Sequence, residues 1–264
     1  MLQIRKYLKI IYRSHIGRKI RDYTGFRSPI FLFHHKNNFI SSDLFIWRTD
    51  QEIQTVFKAS NILKKYYDIE SFLTFIFYDR NGKFLMQKNI QFKNLAEELI
   101  IDKKLIGFKS YGTFNVFNRP IVKLKKKFNV TNRCYVGYGR NGEFSMVHGN
   151  IIGSMINEPF ISDNRIVDHI KPAITNRKVN FKYFIQKKIS KDYNTTFGFT
   201  NPLDRRITIE INNSYKINIE PKGCNLLYIR KEDIKKQNII TSDFVFARPI
   251  LFCENHQFID CHHG

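Results

Sequence analysis

The residues most suited to chemistry lie in the last seven positions, "FIDCHHG", where an acid, a thiol and two imidazoles are adjacent: Asp260, Cys261, His262 and His263. A second histidine pair, His34 and His35, lies near the other end in "FHHKNN", and His148 stands alone in "FSMVHGN". Each falls at or near an expected strand end. Side chains alternate across a strand, so Asp260 and His262 share one face while Cys261 and His263 share the other. The expected functional pair is therefore Asp260 with His262, assisted by His34 or His148 from neighbouring strand ends. No HxH or HExxH spacing is present, so neither a metal nor any other cofactor is expected. Cys261 has a histidine neighbour in sequence, but neighbours on a strand do not meet the geometry of a thiol nucleophile and its base. Ser145 has no strained elbow such as GxSxG around it.

Arginine offers a second chemistry. Arg48, Arg119 and Arg248 recur at comparable strand ends, and Trp47 precedes Arg48. A guanidinium grips a carboxylate or phosphate through two parallel hydrogen bonds, and an indole can stack on a ring. Together they suggest a rim for an anionic or sugar ligand, built from Arg48, Trp47, Arg119, Arg248, His148, Asp260, His262 and His34. The competing structural role is an arginine bonded to turn carbonyls or paired with Asp43 and Asp243.

Strands must carry these residues. After "GFRSP" the chain becomes a series of short alternating runs rich in Phe, Ile, Val and Tyr. Asn81-Gly82 and Asn141-Gly142 are hairpin turns by type. "SNILKKYYD" and "NLAEELIID" read as short helices or loops. "SDLFIWR" (42–48) matches "SDFVFAR" (242–248), and "VFNRP" (116–120) matches "VFARP" (245–249). The expectation is a mainly all-β chain of two tandem, duplicated antiparallel β-sandwich units, 26–122 and 132–264, preceded by a basic amphipathic helix over 1–25. The run "FGFTNPLDRRITIEINNSYKINIEPKGCNLLYI" resembles bacterial immunoglobulin-like sandwiches. It also looks like the small sandwich of the sensory-rhodopsin-transducer group, which implies binding of small ligands such as sugars.

The bulk composition sets the outer bounds. The 264 residues are 42% hydrophobic and 15% aromatic, enough for a packed core. The net charge of +21 fits an anionic partner or a drift towards lysine. Ile4, Leu8, Ile11, Ile16 and Ile20 form an apolar stripe among seven Lys and Arg, so residues 1–23 could lie on an anionic membrane surface. The basic run Lys123–Phe128 reads as a solvated linker, and no RNA-recognition, helix-turn-helix or zinc-finger pattern supports nucleic acid. Four cysteines without a CxxC pair, and no secretory leader by type, predict reduced thiols and a cytoplasmic location, peripheral to the membrane if the helix binds it. No apolar run is long enough to span a bilayer. The leading reading is a non-catalytic or accessory binding protein. The alternative is an enzyme acting on a surface-polysaccharide or sugar intermediate at the His-rich strand ends.

Overall fold

The computed structural model describes residues 39–122, 129–132, 134–149, 152–157, 165–185, 189, 193–235, 237–245, 247–255 and 258–264. The basic helix over 1–25, His34, His35 and the Lys123–Phe128 linker lie outside the described residues.

Strands come first in chain order as β1 (Phe39–Asp43), β2 (Phe45–Arg48) and β3 (Gln54–Ser60), followed by helix α1 (Ile62–Tyr67). Next are β4 (Ser71–Asp79), β5 (Phe84–Gln91), β6 (Ala96–Ile101), helix α2 (Lys103–Ile106) and β7 (Tyr111–Pro120). Then follow β8 (Asn129–Asn132), β9 (Tyr135–Arg140), β10 (Glu143–His148), β11 (Ile152–Asn157), β12 (Ile170–Pro172) and β13 (Phe181–Phe184). The remainder holds β14 (Asn194–Thr200), β15 (Ile207–Ile211), β16 (Tyr215–Ile219), β17 (Cys224–Ile229), β18 (Ile239–Ser242), β19 (Ile250–Glu254) and β20 (Ile259–His263).

These strands form five four-stranded sheets: β12-β11-β1-β8, β2-β7-β4-β5, β10-β9-β3-β6, β17-β14-β19-β20 and β13-β18-β15-β16. The protein is nearly all β, and the sheets are arranged as a five-bladed β-propeller. The two-sandwich expectation is thereby corrected. Strand pairing shows why. β8 and β9, from beyond the expected boundary, pair with β1 and β3 from before it. A chain cut at that boundary would leave two sheets incomplete.

The duplication is corrected too. "SDLFIWR" spans the step from β1 to β2, where a register shift at Ser42/Asp43 and one intervening residue, Leu44, hand the chain from one sheet to the next. "SDFVFAR" instead leaves β18 at Ser242 and turns. "VFNRP" lies inside β7, whereas the described residues of "VFARP", Val245 and 247–249, are not in a strand. The shared letters reflect Phe-rich composition, and tertiary context decides which copy is a strand.

Local chemistry succeeds where it is self-contained. β9 and β10 turn at Asn141 and Gly142, both with positive φ (54° and 87°), and β4 and β5 turn at Gly82 (80°). Asn61 caps α1 by accepting the Lys64 N–H at 3.0 Å. "NLAEELII", expected as helix or loop, is β6, because its alternating side chains pair residue for residue with β3.

The core is aromatic. Phe57 meets Phe45, Phe75 and Phe114 edge-on at centroid distances of 5.2, 5.3 and 5.6 Å. Such contacts add about 0.5–1.5 kcal/mol each beyond the area they bury. This cluster joins the sheets containing β2, β3 and β14, and it holds the strand ends that shape the cleft described next.

Candidate functional site

Three sheets bring strand ends together around a cleft of about 570 Å³. Arg48, Asp50 and Gln51 come from the end of β2 and its turn, and Arg140 from the end of β9. Asn194 and Thr196 come from β14, Tyr228 from β17, and Glu254 and Asn255 from the end of β19. The volume lies within the range of about 300–1,000 Å³ usual for ligand sites.

A four-residue charge network forms its base. Arg48 is buried and donates through Nε and Nη2 to both oxygens of Asp50, at 3.0 and 2.8 Å. Its third nitrogen donates to Glu254 Oε1 at 2.6 Å. The other Glu254 oxygen accepts from Arg140 Nη2 at 3.1 Å. Burial pulls the Arg48 guanidinium down, but the Asp50 hydrogen bond and the Asp50 and Glu254 charges outweigh it and hold it above the ordinary arginine value. The guanidinium also lies 4.9 Å over the Phe252 ring, where a cation is attracted by the ring face. Asp50 stands two residues beyond the end of β2 at Arg48, where a turn with positive φ at Gln51 and Glu52 returns the chain to β3. Two cations and two anions cancel, so the base of the cleft is polar without net charge.

The other sequence candidates go elsewhere. Trp47 is fully buried, and its indole N–H donates to the Tyr78 carbonyl at 2.9 Å, so it offers no exposed ring. Arg119 lies eight residues after Tyr111 on β7, about 26 Å along a strand rising about 3.3 Å per residue. There it packs 5.1 Å over Phe72, and burial lowers its pKa. Arg248 donates to a Gly264 oxygen at 3.2 Å. Asp243, suggested as a partner for arginine, is held by Arg205 at 2.7 Å. The three arginines share no rim.

The chain-end residues form a second locality, where β10 meets β20. As expected for a strand, Phe258 is exposed, Ile259 and Cys261 are buried, and Asp260 faces outward. Asp260 and His262 approach only to 3.7 Å. Asp260 instead accepts from Ser145 Oγ at 2.8 Å, while Ser145 Oγ accepts from the Cys261 N–H at 3.0 Å. Burial pushes the Cys261 thiol up to about 12, and its Sγ donates to the Ser145 carbonyl at 2.9 Å, so at neutral pH it is a thiol and no nucleophile.

His148 meets His263 and not His262: Nδ1 of His148 lies 3.2 Å from Nε2 of His263 and 2.8 Å from the Gly149 carbonyl oxygen. A carbonyl oxygen only accepts, so the His148 Nδ1 proton is directed at Gly149, and His263 Nε2 cannot donate to that nitrogen. Burial and the charges of Arg248 and His148 lower the His263 pKa to about 4, which keeps it neutral at neutral pH. A base whose folded pKa is depressed binds fewer protons folded than unfolded between pH 6.5 and 4, so stability falls as pH drops through that window. Wild type is expected to lose stability more steeply than His263→Asn between pH 6.5 and 4 in denaturant titrations. Equal slopes would show that His263 is not neutral in the fold.

Sequence reasoning missed Asp50, Arg140, Asn194, Tyr228 and Glu254. The only local signals were a lone acid two residues after Arg48 and an arginine directly before the Asn141-Gly142 turn. Among the described residues no group of three or more His, Cys, Asp or Glu is placed to hold a metal ion, and no helix is long and apolar enough to cross a membrane.

Fold and cleft thus define a β-propeller with a charge-balanced polar cleft between strand ends. No protein-family model, curated protein or solved structure gives a significant match to this chain.

Proposed function

We propose that this is a carbohydrate-binding protein that takes a neutral, hydroxyl-rich ligand in the cleft bounded by Arg48, Arg140, Tyr228 and Glu254. The observation that carries this reading is the self-neutralised base. The Arg48 and Arg140 donors that would grip an anion are engaged with Asp50 and Glu254. An anionic ligand would have to displace a largely buried carboxylate, leaving that charge unpaired. A sugar needs no such displacement. It finds carboxylate lone pairs, the side-chain amides of Gln51, Asn194 and Asn255, and the half-exposed Tyr228 ring. A few convergent polar groups beside an aromatic surface suit such a ligand. This favours the sugar over the anionic ligand anticipated from the arginines. The enzymatic alternative relied on the His-rich strand ends, where Cys261 is held as a thiol and His263 as a neutral base.

The test is calorimetric titration with glucose, galactose, mannose and N-acetylglucosamine, as free sugars and short oligomers, each beside a sulfated counterpart. Wild type is expected to prefer the neutral forms, with affinity almost unchanged between low and high salt, because screening weakens charge recognition and leaves hydroxyl recognition intact. Tyr228→Ala is expected to weaken binding at least tenfold, about 1.4 kcal/mol. Asn194→Ala is expected to act in the same direction and more mildly. A preference for the sulfated forms, no binding of any neutral form, or full binding by Tyr228→Ala would overturn the reading.

A further inference from the structure

The cleft does not end at Arg140. A second hollow of about 320 Å³ lies beyond it, lined by Glu143, Phe144, Ser145, Phe258, Ile259 and Asp260, with Arg140 as the residue common to both. We propose that the two hollows form one groove for an extended, oligomeric ligand, with Arg140 as its floor and an aromatic ring towards each end. This rests on the carbohydrate reading above and specifies the ligand class: a chain of several units in place of a single sugar.

Three observations carry it. Arg140 is fixed and mostly covered. Its Nε donates to the Gln51 carbonyl at 3.2 Å, Nη1 to the Asn255 carbonyl at 3.4 Å and Nη2 to Glu254 at 3.1 Å. All three nitrogens are engaged with the protein, so the side chain serves as a fixed surface at the junction of the hollows.

Exposed aromatic rings also lie on both sides of this floor. Tyr228 is 49% exposed in the first hollow, and Phe258 is 41% exposed in the second, where Tyr193 meets it edge-on at 5.7 Å. A large apolar ring left open to water in a polar groove offers a stacking surface for the apolar face of a sugar. One such ring in each hollow offers a platform to each of two units of a chain.

Finally, the second hollow has its own polar groups. Asp260 is about half exposed, and one of its oxygens is positioned by Ser145 at 2.8 Å. Glu143 lies beside it at the hairpin tip. Both offer acceptors to hydroxyl groups, as Glu254 and Asp50 do in the first hollow. The backbone holds Phe258 in place: its N–H donates to Asn255 Oδ1 at 2.8 Å, and its carbonyl accepts the Asn255 N–H at 3.1 Å. The outward ring at Phe258 and the outward acid at Asp260 follow from the same strand alternation that was legible at the chain end.

The test uses a ladder of one to six units built on whichever of glucose, galactose, mannose and N-acetylglucosamine binds best, titrated calorimetrically into the full chain. Affinity is expected to rise at least tenfold between the dimer and a longer oligomer. Phe258→Ala is expected to abolish that gain and leave the dimer unaffected. Tyr228→Ala is expected to weaken every length. Phe258 is exposed, so its replacement leaves the core intact, and circular dichroism checks this. A flat ladder, or a length gain that survives Phe258→Ala, overturns the groove and leaves the single-site reading standing. Absence of binding at every length in the wild type overturns both.

Discussion

Arg48→Ala is expected to lower stability by about 3–5 kcal/mol, the usual result of removing one partner from a buried ion pair. The side chain of Arg48 is 3% exposed and that of Glu254 11%, so water cannot take over the role of the lost guanidinium. Without it, Glu254 keeps Arg140 as its ion-pair partner among the described residues, and Asp50 loses its two-pronged side-chain bond. Arg48→Lys is expected to recover only part of the loss, because one ammonium cannot hold two carboxylates in a planar fork. Urea denaturation of the two variants beside wild type measures both effects. A loss below about 1 kcal/mol for Arg48→Ala would place the network among exposed pairs of small worth and remove it as the rigid base of the cleft.

Trp47→Ala is expected to cost about 3–5 kcal/mol as well, by a different mechanism. The indole stands on β2, opposite Gly112 on the adjacent β7, and reaches over that glycine to the Tyr78 carbonyl on β4. One side chain thus ties three strands of a sheet together. Gly112 makes this possible: a Cβ there would come within 2.2 Å of the Tyr78 oxygen and 2.7 Å of the indole ring. Gly112→Ala is therefore expected to destabilise by about 1–3 kcal/mol through overpacking. Trp47→Phe separates the two parts of the tryptophan effect. It keeps most of the ring and loses the N–H, and it is expected to cost about 1–3 kcal/mol for the buried carbonyl it leaves behind. Thermal and urea denaturation order the three variants, and a neutral Gly112→Ala would refute the close approach.

What the sequence revealed follows a physical division. Alternating runs, the Asn-Gly turns and the short helix in "SNILKKYYD" depend on residues a few positions apart, and they were legible. The sheets were not, because β1 chooses β8 and β11 as partners and no local pattern records that choice. The same limit applies to the site. Arg48 was recognisable as a candidate by type, and the alternation at the chain end placed Asp260 and Cys261 on opposite faces. Its partner Glu254 lies 206 residues away, and nothing in "LFCEN" sets that acid apart. His148, expected to assist Asp260 and His262, meets His263, because the approach of β10 to β20 depends on how two sheets pack. Trp47, read as a stacking platform, is core. Rarity in the sequence carries no information about exposure.

The interleaving of the strands has a consequence for how the chain acquires its shape. During synthesis β1 emerges early, but its partners β8 and β11 follow only about a hundred residues later, about five to twenty seconds at ordinary elongation rates. Throughout that interval both edges of β1 are open to other chains, a hazard that long, hydrophobic edges carry generally. The sheets built from β13 to β20 draw all their strands from residues 181–263, so their strand pairing needs no strand made before them. Order should therefore arrive late in the sheets that contain β1 and β3 and promptly in the other three. Until then the cell's chaperones would meet β1 as an unmatched strand beside a sheet already paired.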